Sequence, residues 1–174
     1  ALKTLENKNT YNEKFINKIA NSITLKKLQN KKLYSPEVAK LSSIIAKKPY
    51  VRKALKGFQI NFIKKSKLVV VEGRDIGSKI MPNADLKLFF TCSTKEKAKR
   101  RLKEFKNLNK NISLKKVEKA LIQRDKEDTK RKISPLIMTK NAVLVDTTKL
   151  TIKQMEAKLT NLVKNSIKKK YGNL

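Results

Sequence analysis

Lys67-Leu68-Val69-Val70-Val71-Glu72-Gly73-Arg74-Asp75-Ile76-Gly77 decides the fold class of this 174-residue chain. Its first half is a continuous, β-branched apolar run, the kind that reads as a strand buried on both faces of a parallel sheet. Its second half holds two of the four glycines, beside an Arg-Asp pair. Glycine lets the backbone turn sharply or lets a ligand approach closely. In open parallel sheets, ligands bind beyond the carboxyl ends of strands. There an arginine fork clamps an anion, and an aspartate accepts ligand N–H or O–H groups. An ordinary Arg–Asp salt bridge within the turn is the competing reading.

Outward from this stretch, Leu86–Thr91 and Ala142–Val145 are two further apolar runs that read as buried strands. Helical signals alternate with them. Asn12–Ile23 carries a partial apolar stripe. Ser35-Pro36-Glu37 supplies an N-cap, a proline at the first helical position and an acid in the first turn. Val38, Leu41, Ile44 and Ile45 follow on one face. Pro49 breaks that pattern, and a second helix is expected from Val51 to about Lys65 with Leu55, Phe58, Phe62 and Ile63 inward. Ser93-Thr94-Lys95-Glu96 resembles a capping box opening a helix to about Leu108. Ser113 caps another, reaching about Asp128. Pro135 closes a short loop, and Thr151-Ile152-Lys153-Gln154 is a second capping box before the last helix. Strands alternating with helices predict an α/β domain on a parallel sheet.

The net charge is +30, carried by 44 basic against 14 acidic residues. A nucleic-acid or anionic-membrane surface is one source of such a charge. Here the lysines spread from Lys3 to Lys170 without one long block, and the 6% aromatics do not alternate with them as a stacking surface requires. That pattern favours a compositional background and argues against nucleic acid as partner. The single cysteine, Cys92, allows no internal disulfide, and a thiol catalyst would lack a histidine, since there is none. This fits a reducing cytoplasm. No apolar stretch approaches the roughly 20 residues of a membrane-spanning helix.

Against that lysine background stand only six arginines: Arg52, Arg74, Arg100, Arg101, Arg124 and Arg131. A lysine suffices for a bare positive charge; a planar fork suits bidentate contact with carboxylate or phosphate. Arg124, Asp128 and Arg131 are spaced i, i+4, i+7, so they share one face if their helix persists. Such a face can hold a phosphate and a sugar hydroxyl, or can be a plain salt-bridge ladder. Adjacent Arg100 and Arg101 point in different directions, which leaves a surface role open.

Together these segments resemble the bacterial cytidylate kinases. The resemblance runs from about Tyr34 to Leu162. It rests on Ser35-Pro36-Glu37-Val38-Ala39, on Ser43 through Pro49 to Arg52, and on Glu72-Gly73-Arg74-Asp75-Ile76-Gly77-Ser78. It continues in Pro82-Asn83-Ala84-Asp85-Leu86-Lys87, Ala98-Lys99-Arg100-Arg101, and Gln123-Arg124-Asp125 with Asp128, Arg131, Pro135 and Leu136. It closes in Asn141-Ala142-Val143-Leu144-Val145-Asp146-Thr147-Thr148. The glycine-bearing Arg-Asp run and the Arg-Asp-x-x-Asp-x-x-Arg run are together highly specific to that family.

The resemblance implies a P-loop NTPase-like three-layer α/β/α fold and phosphoryl transfer from ATP, with Mg2+, to CMP or dCMP. It implies that Arg74 and Asp75 hold the acceptor nucleotide with Ser43 and Arg52. It places Arg124, Asp128 and Arg131 in a mobile lid at about 124–136, the arginines on the phosphates and Asp128 on the ribose. Arg100 and Arg101 would face the donor phosphates. Residues 1–66 would be the remainder of an acceptor-binding helical region, and 67–174 the core strands, lid and C-terminal helix. No metal-ligating residue is assigned, and a cytoplasmic monomer is expected.

The chain also departs from that family. No Gly-x-x-x-x-Gly-Lys-Ser/Thr phosphate loop occurs in it. Ile60, Asn141 and Lys97 stand where the family tends to place Arg, Asp and Arg. Because the phosphate-loop strand would lie between the strands at Lys67–Val71 and Leu86–Thr91, those two are not expected to be neighbours here. The expectation is therefore a kinase lacking its N-terminal strand and phosphate loop, a C-terminal part of a longer chain. A non-catalytic nucleotide-binding remnant and a basic nucleic-acid-binding protein are the alternatives.

Overall fold

A computed structural model describes residues 1–6, 12–107 and 112–172. The chain forms two compact units. One comprises Ala1–Ile76 with Lys130–Pro135, the other Gly77–Thr129 with Leu136–Leu174.

The first unit is helical. Helices α1 (Leu2–Glu6), α2 (Glu13–Asn21), α3 (Leu25–Leu28), α4 (Pro36–Ile45) and α5 (Pro49–Lys64) follow one another. Helices α2 and α4 both open on a capping side chain, of which Ser35 was the expected one. The Asn12 side chain accepts from the Phe15 N–H, and the Ser35 hydroxyl accepts from the Val38 N–H with Pro36 behind it. Pro49 opens α5 at its first turn rather than merely ending α4. Ile16, Ile45 and Val51 bury together, with Phe15, Leu41, Tyr50 and Ala54 packed around them. On α5 only Val51 is fully buried; Leu55 and Phe62, expected inward, are more than a third exposed.

The expected strand at Lys67–Val71 does not form. No strand occurs in this unit among the described residues. Leu68 is 95% and Val70 100% exposed. A strand needs a neighbour to take its N–H and C=O groups, and propensity alone cannot supply one.

The second unit contains the sheet. Strands β1 (Lys87–Thr91) and β2 (Ala142–Asp146) pair in parallel, Lys87 opposite Ala142 and Thr91 opposite Asp146. Helices α6 (Thr94–Asn107) and α7 (Leu114–Lys130) make the crossover, and α8 (Ile152–Tyr171) follows β2. The expected reach of α6 to Leu108 falls outside the described residues. Ser93 and Ser113 cap α6 and α7 through the Glu96 and Lys116 N–H groups. At α8 the full reciprocal box between Thr151 and Gln154 is present. Ala98, Phe105 and Val117 form this unit's core, with Leu102, Ile112, Leu114 and Leu121 around it. Only Val145 of β2 is fully buried, while Phe90, Val143 and Leu144 are exposed. The expectation of strands buried on both faces therefore fails outside Val145, because two strands and their helices leave part of each face open. Among the described residues the sheet holds β1 and β2.

Candidate functional site

The residues predicted to hold a nucleotide are built separately in the two units. In the first unit, Val51 anchors the opening turn of α5 in the core, and Arg52 projects from the next position. Its Nε donates to the Ala46 carbonyl at 2.6 Å, a carbonyl left orphaned where α4 ends. Its Nη1 donates to Asp75 Oδ2 at 2.8 Å, across 23 residues of sequence. Both side chains are less than a fifth exposed. Two residues predicted from separate segments are thus joined in one partly buried ion pair. Arg74 is half-buried in the same turn, and Ser43 is half-buried on α4.

Neither glycine of the turn adopts a left-handed conformation. Gly73 is instead required for space: a Cβ there would lie 2.8 Å from Ile76 Cγ1. Ile76 is buried and opens a single π-helical turn through Ile80.

Arg131 lies just beyond α7, which ends at Lys130. It therefore leaves the face shared by Arg124 and Asp128, and the i+7 relation does not hold. Its Nε donates to the Ser134 carbonyl at 2.5 Å, and Ser134 holds the one left-handed non-glycine backbone among the described residues, at φ 52°. That bent loop ends at Pro135.

In the second unit, Arg124 Nε stands 3.8 Å from Asp128 Oδ2, an ion pair too long for a hydrogen bond. Asp128 is 5% exposed, and its carbonyl accepts from the Leu136 N–H at 2.8 Å. Asp125, on a different side of α7, takes Lys97 Nζ of α6 at 2.7 Å. Sequence reasoning noted Lys97 only as a departure; its pairing could not be read without the fold of the helical hairpin.

Arg100 and Arg101 have protein partners. Arg100 Nη2 donates to the Thr147 carbonyl at 2.7 Å, Nη1 to Thr147 Oγ1 at 3.2 Å, and Nε to Glu96 at 3.3 Å. Thr147 in turn donates from its N–H and its hydroxyl to the Thr91 carbonyl, at 2.9 and 3.1 Å. The fork therefore ties α6 to the closing residues of both strands. Arg101 pairs with Glu104 at 2.5 Å and lies 4.6 Å from the Phe105 ring centroid. Nearby, the Thr148 hydroxyl and N–H both donate to Asp146, and these bonds hold the Asp146 carboxyl below its ordinary pKa.

No three acidic or cysteine side chains converge to hold a metal among the described residues. Asp75, Asp125, Asp128 and Asp146 face Arg52, Lys97, Arg124 and Thr148 respectively. Among the described residues this set does not fit a magnesium site. No described helix is long and apolar enough to cross a membrane.

The cytidylate kinase family model matches residues 3–165. A cytidylate kinase of Thermotoga neapolitana is 40% identical over 137 residues, which cover 79% of this chain and 62% of the relative. A cytidylate kinase of Rickettsia africae is 36% identical over 149 residues, 86% of this chain and 68% of the relative. A bifunctional pantoate ligase/cytidylate kinase of Trichodesmium erythraeum is 45% identical over 133 residues, 76% of this chain and 25% of that protein. The match spans about three-fifths of the length of the Thermotoga relatives. With a family match running over nearly the whole sequence, this chain belongs to the cytidylate kinase family.

Proposed function

We propose that this chain supplies the acceptor-nucleotide side of a kinase that transfers the γ-phosphoryl group of ATP to CMP or dCMP. The observation that carries this reading is the Arg52–Asp75 pair. It presets a cation and a carboxylate beside Arg74, in a turn where Gly73 leaves no room for a side chain. A nucleoside monophosphate offers the complementary groups: a dianionic phosphate, ribose hydroxyls and an amino-bearing base. In this reading Arg74, Asp75, Arg52 and Ser43 bind the acceptor. Arg124 and Arg131 meet phosphate oxygens, and Asp128 meets the ribose. A CMP phosphate oxygen attacks the γ-phosphorus in line, and ADP leaves as the P–O bond to the β-phosphate breaks. The protein's work is positioning and charge neutralisation. Arg100 and Arg101 would have to exchange Thr147 and Glu104 for donor phosphate oxygens. Magnesium would come with the donor phosphates. We place the protein in the cytoplasm as a monomer, consistent with its single free cysteine.

Since the 174 residues contain no Gly-x-x-x-x-Gly-Lys-Ser/Thr run, acceptor binding is the activity to test on this polypeptide. Calorimetric titration should show CMP binding in preference to GMP. Arg74→Lys should weaken it by about tenfold or more, because an ammonium cannot replace a bidentate fork. Equal affinity for CMP and GMP, or an Arg74→Lys variant with unchanged CMP affinity, would overturn the reading.

A further inference from the structure

We infer that Arg100 is a positioning residue: its fork holds Thr147, and with it the turn that leads β2 into α8, and does not trade that hold for a phosphate. The second clause rests on the function proposed above; the hold on Thr147 does not.

The two adjacent arginines of α6 are engaged very differently. Arg101 pairs with Glu104, three residues along the same helix, whose side chain is 58% exposed. Such a local, solvated pair is weak and exchanges at little cost. Arg100 instead reaches across 47 residues of sequence to Thr147, which is 5% exposed. Its Nη2 takes the Thr147 carbonyl at 2.7 Å and its Nη1 takes the Thr147 hydroxyl at 3.2 Å. Two arms on two oxygens of one residue make a grip that a lysine ammonium cannot reproduce. Glu96, one turn earlier on α6, accepts from Nε at 3.3 Å and steadies the guanidinium from behind.

The polarity of these bonds shows what the grip does. A threonine hydroxyl has one proton to give. Because Nη1 donates to Thr147 Oγ1, that proton is directed to the Thr91 carbonyl at 3.1 Å, which also accepts the Thr147 N–H at 2.9 Å. Arg100 therefore orients the hydroxyl as well as holding the residue. The Thr147 carbonyl has one other donor, the Leu150 N–H at 3.3 Å, which closes the turn before α8. Without the arginine it keeps only that longer bond. The next residue is fastened by different groups: the Ser93 N–H donates to Thr148 Oγ1 at 2.9 Å, and that hydroxyl donates to Asp146 at 2.6 Å. The turn lies beyond the carboxyl ends of β1 and β2, where parallel sheets receive their ligands. Moving the fork to a phosphate would leave a buried hydroxyl and a carbonyl short of a donor. Arg100 thus shapes this end of the sheet through Thr147.

The test is amide hydrogen exchange of the whole chain, followed by NMR. Arg100→Lys keeps the charge and removes the fork; it should speed exchange of the Thr147 amide about tenfold or more, with Phe105 and Leu121 within about twofold. Arg101→Lys should leave Thr147 within about twofold. A Thr147 amide unchanged in Arg100→Lys, or an equal acceleration at all three amides, overturns the inference. Should Arg100→Lys fail to fold, the side-chain Nε–Hε resonance of 15N-labelled Arg100 decides. It should shift in Thr147→Val, which lacks the hydroxyl, and stay in place in Thr147→Ser, which keeps it; a resonance unmoved in Thr147→Val sinks the idea. With ADP added, Thr147 should keep its slow exchange. Faster exchange with ADP than without it would show the fork traded to phosphate. Failure of the unmodified chain to bind CMP removes the proposed function and leaves the Arg100–Thr147 result standing.

Discussion

Lys67–Val71 and Lys87–Thr91 look alike as sequence, both five-residue apolar runs, yet only the second is a strand. Thr91 and its neighbours have β2 alongside, with Val145 wholly buried and Thr147 closing the ladder onto the Thr91 carbonyl. Leu68 and Val70 pair with no strand among the described residues and stand open to water. A β-branched run states a preference for a pleated, half-covered surface; whether it becomes a strand depends on a second run at hydrogen-bonding distance.

The comparison is broken hardest on the paired side. Val145→Ala removes two buried methyl groups from the ladder and should cost about 2 kcal/mol in urea-induced unfolding. A loss below about 0.5 kcal/mol would mean the ladder contributes no more than the open segment. On the open side, Val70→Asn should change the unfolding free energy by less than about 0.5 kcal/mol, and Leu68–Val71 amides should exchange far faster than those of Phe89–Thr91. Slow exchange in both would erase the contrast. The smallest effect concerns the end of β2. The Asp146 carboxyl is held below its ordinary value by Thr148, so its stabilising bonds are present at neutral pH and are lost as the pH falls through that depressed value. Thr148→Val should return its midpoint, followed by carbon NMR, toward the ordinary aspartate range.

What could be read from the sequence divides along the same line. Local signals were legible: Ser35, Ser93, Ser113 and Thr151 cap the helices they were expected to cap. The two runs that do pair were also legible. Chemistry dependent on distant partners was not. Arg52 and Asp75 were each singled out, but their union was not, since 23 residues and a helix separate them. Arg131 would share the α7 face only if the helix persisted that far, which spacing alone cannot show; α7 stops one residue before it. The attachment of Arg100 to Thr147 crosses 47 residues and has no local signature beyond the Asp146-Thr147-Thr148 run itself.

The exposed Leu68 and Val70 have a further consequence. An apolar segment with open backbone groups is a template for other chains, and proteins commonly guard such segments with flanking charge. Lys64, Lys65 and Lys67 stand immediately before it, all exposed, within a chain of net charge +30. Lysines that say little about catalysis thus act as gatekeepers of colloidal stability. Their protection is electrostatic, so it shrinks with the Debye length, about 10 Å at 0.1 M salt and 3 Å at 1 M. Light scattering at 1 M salt should therefore show more self-association than at 0.1 M, and Val70→Asn should reduce that rise.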